Sequence, residues 1–365
     1  MRLIAILLLL AATLAAQQPP ALTINSETEE GKLLQQIEQQ TNEPKKQALL
    51  EQFIAQYPKH QGAPWVYRQL QPIYTKQKQF DKTLDAGTKA LALDSDDLDA
   101  SYNNLKAAEG KTEIDLVKKW ALRTSELARK NVHSAPTEYA RQIAVYCEYS
   151  LFSAASRSTD QAKVVDLVET LEHLNPESPY VPKAYGNYLA TLRRMDHVDK
   201  AGNAAEKLAD RGVDNEDVLL VAADYNLQKK TQPEKVILYS TRLIQTLAAK
   251  PKPEGLADAD WEAKKQSLSG LANWMAGVTY SGQGNSAQAD KYLRAALPNL
   301  KDQQVLAIGL FHLGLADYQL GKAGKNRSLI QAALKYSQQS ADIDSPLQAQ
   351  AQKNAQALRI ELGSR

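Results

Sequence analysis

Asp160-Gln161-Ala162-Lys163-Val164-Val165-Asp166-Leu167-Val168-Glu169-Thr170-Leu171-Glu172-His173-Leu174-Asn175-Pro176 is the stretch from which the rest of the chain is read. Val164, Val165, Val168, Leu171 and Leu174 recur at helical spacing and form one stripe of a helix. Asp160 stands just before the stripe and can accept from the free amides of a first turn. Pro176 has no N–H to continue the hydrogen-bond ladder, so the helix must end near Asn175. Outward from this segment the same grammar returns: an apolar helix, a short polar break, a second helix, another break. No segment sustains period-2 alternation between turn dipeptides. Gly (17) and Pro (15) together fall short of the usual ~12%, which argues against a turn-rich all-β chain.

A second stretch gives the repeat its identity. Asn273-Trp274-Met275-Ala276-Gly277-Val278-Thr279-Tyr280, followed by Gly284, Ala289, Leu293 and Ala296-Leu297, resembles a tetratricopeptide (TPR) unit, a helix pair of about 34 residues. The resemblance implies that Ala276-Gly277 and Ala289 are close-contact positions, Tyr280 and Leu293 fillers, and Gly284 the turn. Tyr67, Leu70, Tyr74, Phe80, Leu84, Ala90-Leu91 and Asp94 match as well, departing from the family at Thr83 (usually Ala) and Lys78 (usually Gly). A third match is Leu151-Phe152, Ala155, Val164, Val168, Leu171 and Asn175-Pro176. Units starting near 64, 98, 145, 182, 217, 270 and 307 are separated by steps of 34, 47, 37, 35, 53 and 37 residues. The two long steps are expected to hold inserts, around Ala108 to Thr112 and over 251–269. A few extra residues are expected around Gly321 to Ser328.

The fold class implied is all-α, a right-handed α-solenoid of TPR-like helix-turn-helix repeats over 27–346. Its clearest repeats are expected at 64–97, 145–178, 182–215, 217–250, 270–303 and 307–346. Residues 347–365 are expected to form a C-terminal capping helix, apolar on one side only. A single helix pair cannot bury its apolar face, but stacked neighbours bury each other's.

Residues 1–16 have the order of a secretory signal peptide: Arg2, an apolar run from Leu3 to Leu14, then Ala15-Ala16 before Gln17. The run is shorter than the ~20 residues a membrane-spanning helix needs. Residues 17–26 follow as a flexible leader. The chain is thus expected to be exported, to a bacterial periplasm or the medium, without stable membrane insertion after cleavage. One cysteine, Cys147, excludes an internal disulfide framework, and its apolar neighbours Ile143, Ala144 and Val145 predict a buried thiol. A formal charge of +2 gives no electrostatic case for nucleic acid.

Catalytic signatures are lacking. The five histidines (His60, His133, His173, His197, His312) include no pair at i, i+4, and there is no Gly-x-Ser-x-Gly. Gly321-Lys322-Ala323-Gly324-Lys325-Asn326 is too short for a phosphate loop, with Asn326 where the magnesium-binding hydroxyl belongs. Asp94-Ser95-Asp96-Asp97-Leu98-Asp99 lacks the Gly and closing Glu of a calcium loop and reads as a solvated turn. No cofactor and no metal is expected.

The resemblance implies a groove lined by the first helix of each pair. Its candidate contacts are Trp65, Arg68, Tyr146, Tyr149, Arg193, Tyr225, Trp274, Phe311 and Tyr318, the aromatic and Arg composition of binding hot spots. The Lys/Asn clamp of chaperone-binding TPR domains is not filled, since Pro72 stands where its first Asn would be. The expected function is a non-enzymatic scaffold that holds a protein or peptide outside the cytoplasm, in envelope assembly or secretion. The alternatives are an α-helical toroid hydrolase with paired carboxylates acting on glycans or peptides, and a small-molecule-binding solenoid.

Overall fold

The computed structural model describes Asn25 and residues 27–134 and 138–363, with side chains from 131 to 134 left aside. The expected signal peptide, and the leader apart from Asn25, lie outside the described residues. Among the described residues there are seventeen α-helices, one 3₁₀ turn (Leu297–Asn299) and no strand. The chain divides into two compact units, one ending at Val181 and one beginning at Pro182. In each, consecutive helices pack against one another, and first helices of successive pairs also touch. Both units are all-α solenoid stacks of TPR-like helix-turn-helix pairs.

The first unit holds α1 (Glu29–Gln39), α2 (Glu43–Gln56), α3 (Ala63–Lys76), α4 (Phe80–Leu93), α5 (Leu98–Lys111), α6 (Ile114–Ser134), α7 (Glu138–Arg157) and α8 (Gln161–Leu174). Thr28, Asn42, Asp97 and Asp160 cap α1, α2, α5 and α8 by accepting from first-turn amides. Each such cap is worth about 1 kcal/mol. Leu34, Ile37, Leu50, Phe53 and Leu70 are buried in the core at this end. Gln71, also buried, donates through its amide toward Thr83 O, Ala100 O and Asn104 Oδ1 at 3.3, 3.1 and 3.0 Å. Thr83, where the family usually has Ala, uses its hydroxyl separately, 3.2 Å from that of Thr75 and 3.3 Å from Gln79 O.

The second unit holds α9 (Val181–Arg194), α10 (Val198–Asp210), α11 (Glu216–Lys229), α12 (Pro233–Ala249), α13 (Asp258–Gly282), α14 (Ser286–Ala296), α15 (Gln303–Ala323), α16 (Arg327–Ala341) and α17 (Gln348–Gly363). Gly277 lets α13 approach α14, because a Cβ there would stand 2.6 Å from Leu293 Cγ. Trp261, near the start of α13, is a buried packing residue.

Five turns between paired helices share one device. Lys78, Asp196, Lys230, Gly284 and Lys325 adopt left-handed backbone (φ 57, 59, 52, 74 and 51°). In each, the next amide donates to the carbonyl five residues before it, from Gln79 to Tyr74, His197 to Leu192, Thr231 to Asn226, Asn285 to Tyr280 and Asn326 to Gly321. This ties off an orphan carbonyl at the end of the first helix. Only one of the five is glycine, and each of the others bears roughly 1 kcal/mol of Cβ–carbonyl conflict.

One expected insert is corrected. Ala108 to Lys111 is the last turn of α5, not a loop. Ala107 and Ala108 are fully buried, and Gly110 sits against the Phe80 ring, 2.4 Å from where its Cβ would be. The extra length of that step is taken up by α6 and α7, of 21 and 20 residues. Likewise the residues expected as extra around Gly321 include the end of α15, where Gly321 packs under Ile330.

Candidate functional site

On α5, the spacing of Asp99, Tyr102, Lys106 and Glu109 puts them on one side, while Ala100, Leu105 and Ala108 are buried on the other. On α7, Ala140, Ile143, Cys147, Leu151 and Ala154 are buried, which leaves Tyr139, Tyr146, Tyr149 and Phe152 toward the other faces. These two helices, with Tyr180 beyond α8, carry an unbroken chain of rings. Tyr102 meets Tyr146 edge-on at 5.4 Å between centroids, and Tyr146 meets Tyr149 at 6.0 Å. Tyr149 meets Tyr180 at 5.6 Å, and Tyr180 stacks on Phe152 at 5.6 Å. Tyr149 is 42% exposed within this chain of rings, and Tyr139, on the same helix, is 51% exposed.

Carboxylates hold the phenols. Tyr139 donates to Asp99 Oδ1 at 2.6 Å. Tyr146 donates to Glu109 Oε2 at 2.7 Å, and Ser150 donates to Oε1 of the same residue at 2.6 Å. Burial first, and the adjoining carboxylate second, push the Tyr139 and Tyr146 phenols up, so both remain donors. Lys106 lies over the Tyr102 ring with Nζ 4.0 Å from its centroid. Among the described residues no lysine or arginine comes within ion-pair distance of Asp99 or Glu109. The strip therefore combines exposed ring faces with two carboxylates that only neutral hydroxyls satisfy.

The expected groove residues of the first unit separate into two kinds. Tyr146 and Tyr149 belong to the strip. Trp65 is half-buried and packs on the core of α1 to α5. Arg68 faces the buried carboxylate of Asp97 at 3.2 Å, the aspartate that caps α5. Burial pushes Asp97 up, against its amide hydrogen bond and the Arg68 charge.

Those of the second unit do not form a comparable cluster. Arg193 is exposed, 3.9 Å from Asp224. Tyr225 lies on Gly202, where a Cβ would stand 2.2 Å from the ring, and its phenol donates to Asn203. Trp274 packs with Leu293 and Leu313, its indole N–H buried without an acceptor. Phe311 meets His312 edge-on at 5.4 Å. His312, hydrogen-bonded to Ser281 at 2.9 Å, is pushed down to about 4 by burial. Tyr318 lines a cleft of about 180 Å³ with Gly314, Gln319, Ser337, Asn354 and Glu361. Beside it, the fully buried Asp317 accepts from Arg294 at 2.6 Å, and burial pushes it up to about 6.

Sequence reasoning missed Tyr102, Tyr139, Phe152 and Tyr180. A signal existed: Tyr139, Tyr146 and Tyr149 fall at helical spacing, with Asp99, Tyr102 and Glu109 in the preceding first helix. Among the described residues no helix is long and apolar enough to cross a membrane, and no three His, Cys, Asp or Glu side chains converge as metal ligands would.

No family model matches the chain, and no curated protein is significantly similar to it. Among solved structures it is similar to the crystal structure of yeast Tom70, at 12% identity and a TM-score of 0.35, over 93% of this chain and 66% of that one. It is similar also to the APC/C hetero-tetramer Cut9-Hcn1 (13% identity, TM-score 0.24, 93% and 85%). The third is Naa15/Naa10 bound to HypK (12% identity, TM-score 0.22, 92% and 61%). The chain thus spans just under two thirds of the Tom70 chain it matches.

Proposed function

We propose that this chain is a non-enzymatic scaffold that binds a protein or peptide through the first helices of its repeats, and that it acts after export from the cytoplasm. The observation that carries the binding reading is the α5–α7 strip. Rings are normally spent inside the stack, as Tyr225 is on Gly202. Leaving about half of Tyr139 and Tyr149 in water while their neighbours are fixed lowers the entropy cost of docking a partner. The export reading rests on the order of residues 1–16. Its setting would be envelope assembly or secretion, in the periplasm or the medium.

A photo-crosslinking residue placed at Tyr149 tests the binding reading in growing cells. The expected product is one discrete adduct, reproducible across preparations and missing when the same residue replaces exposed Leu238 on α12. Adducts equal at both positions would refute it. Export is tested separately: Edman sequencing of the fractionated protein should begin near Gln17, and an intact Met1 in a cytoplasmic fraction would overturn that part.

A further inference from the structure

We infer that the α5–α7 strip receives an extended, arginine-bearing segment of the partner, with guanidinium planes laid on the exposed tyrosine faces and their N–H edges turned to Asp99 and Glu109. The inference rests on the scaffold reading above and names the chemistry of its partner.

Charge complementarity comes first. Asp99 and Glu109 accept only from hydroxyl donors, and among the described residues no cation pairs with either at the edge of the rings. Asp97 adds to the negative field at Tyr139. A phenol that donates to a carboxylate is polarised toward its ring, which deepens the negative face that a cation seeks. The molecule already shows the preference: Lys106 occupies the Tyr102 face at 4.0 Å, between the two carboxylates in sequence. An anionic or neutral ligand would have to displace or ignore that lysine. A cationic one extends the pattern to the faces of Tyr139 and Tyr149.

The choice of arginine over lysine follows from shape. A planar guanidinium can stack and still present a fork of donors at its rim, whereas an ammonium is a point charge that must choose. The choice of an extended segment follows from spacing. Tyr139 and Tyr149 are ten residues apart on α7, about 15 Å along its axis, a distance that roughly five residues of extended backbone cover.

The test uses the full mature chain and labelled twelve-residue peptides in a fluorescence anisotropy titration. One peptide alternates Arg with Pro and Ser. A second carries citrulline at each Arg, keeping the plane and losing the charge, and a third carries Glu. The Arg peptide is expected to bind at least about tenfold more tightly than the citrulline one, and to weaken as added salt shortens the screening length below about 10 Å. Asp99→Asn with Glu109→Gln should cost about tenfold, and Tyr139→Ala with Tyr149→Ala a similar factor. Lys106→Ala should tighten binding about threefold by freeing a ring face. A purely structural role would not produce that gain. Equal binding of the Arg and citrulline peptides, or unchanged binding to the carboxylate variant with an unaltered circular dichroism melt, overturns the inference. A displayed random-peptide library separates it from the parent reading. Selected binders without basic enrichment sink the arginine proposal and leave the scaffold. No selectable binder at all sinks the scaffold. Retention on a glycan array with no peptide bound sinks both.

Discussion

Tyr149 and Tyr225 are the same residue type on the first helix of a repeat, and they do opposite things. In the second unit Tyr225 closes onto Gly202, its phenol tied to Asn203 and Lys229 lying 5.2 Å over its ring. In the first unit Tyr149 has ring neighbours on two sides and is still 42% exposed. The difference lies in what each ring meets: Gly202 of α10 beneath Tyr225, and the rings of Tyr146 and Tyr180 beside Tyr149. Where a glycine is offered, the ring has a socket and becomes part of the stack. Where neighbouring positions are rings and carboxylates, the ring stays at the surface. Helical periodicity alone does not distinguish the two, because it reports which face a residue is on and not what waits there.

That contrast is open to direct measurement. The largest effect should come from filling the socket. Gly202→Val drives a side chain into the Tyr225 ring, where a Cβ already stands 2.2 Å away. Cost on the order of 3 kcal/mol is expected, read as a lower urea midpoint for the transition that reports the second unit. A midpoint like wild type would mean that Tyr225 is free to leave. Tyr149→Ala in the first unit should change the midpoint by under about 1 kcal/mol, and a loss as large as that of Gly202→Val would make the strip structural.

Acid response should also differ between regions. Burial holds His312 neutral, with its pKa down to about 4 from an ordinary 6.5. The unfolded chain therefore takes up a proton that the folded one refuses. Stability from this group is whole above pH 6.5 and is lost as pH falls toward 4, by up to about 3 kcal/mol. His312→Gln should flatten melting temperature over that window relative to wild type, and an identical acid slope in both proteins would contradict it.

The turns permit a finer comparison. Lys325→Gly should stabilise by about 0.5–1 kcal/mol, because it relieves a left-handed Cβ, and Gly284→Lys should destabilise by a similar amount. Opposite-signed shifts in melting temperature are the expected result; shifts of the same sign would show that the two turns are not equivalent. The smallest signal is chemical. Cys147 is buried and its thiol is pushed up to about 12, mainly by burial. It should stay unlabelled by a thiol reagent until urea unfolds the first unit.

The all-α class and its paired helices were legible because they depend on local rules. Asp160 caps α8 and Leu174 ends it at Asn175-Pro176, where the one-dimensional pattern placed them. The end of α5 was not legible. Ala107-Ala108-Glu109-Gly110 looks like a weak segment in isolation; the burial of both alanines and the Phe80 ring against Gly110 are tertiary facts that its local pattern does not carry. The recurrent turn was half hidden for a related reason: four of its five left-handed positions carry Lys or Asp in place of the glycine that would have announced them. The strip was visible only in part. Tyr146 and Tyr149 stand out by type, but the partners that give them meaning, Asp99, Tyr102, Glu109 and Tyr180, come from other helices and turns.

Gln71 has one more consequence. Repeats of similar composition risk stacking out of order, or trading places between two molecules, since one greasy surface accepts another. The Gln71 amide removes that freedom at its own joint. Its acceptors come from the next helix, Thr83, and from the one after, Ala100 and Asn104, and a wrong neighbour would leave it sealed from water with nothing to bind, at about 1–3 kcal/mol. One amide thus favours the native neighbour at this joint, where Asn104 Oδ1 is the acceptor among the three that depends on residue type.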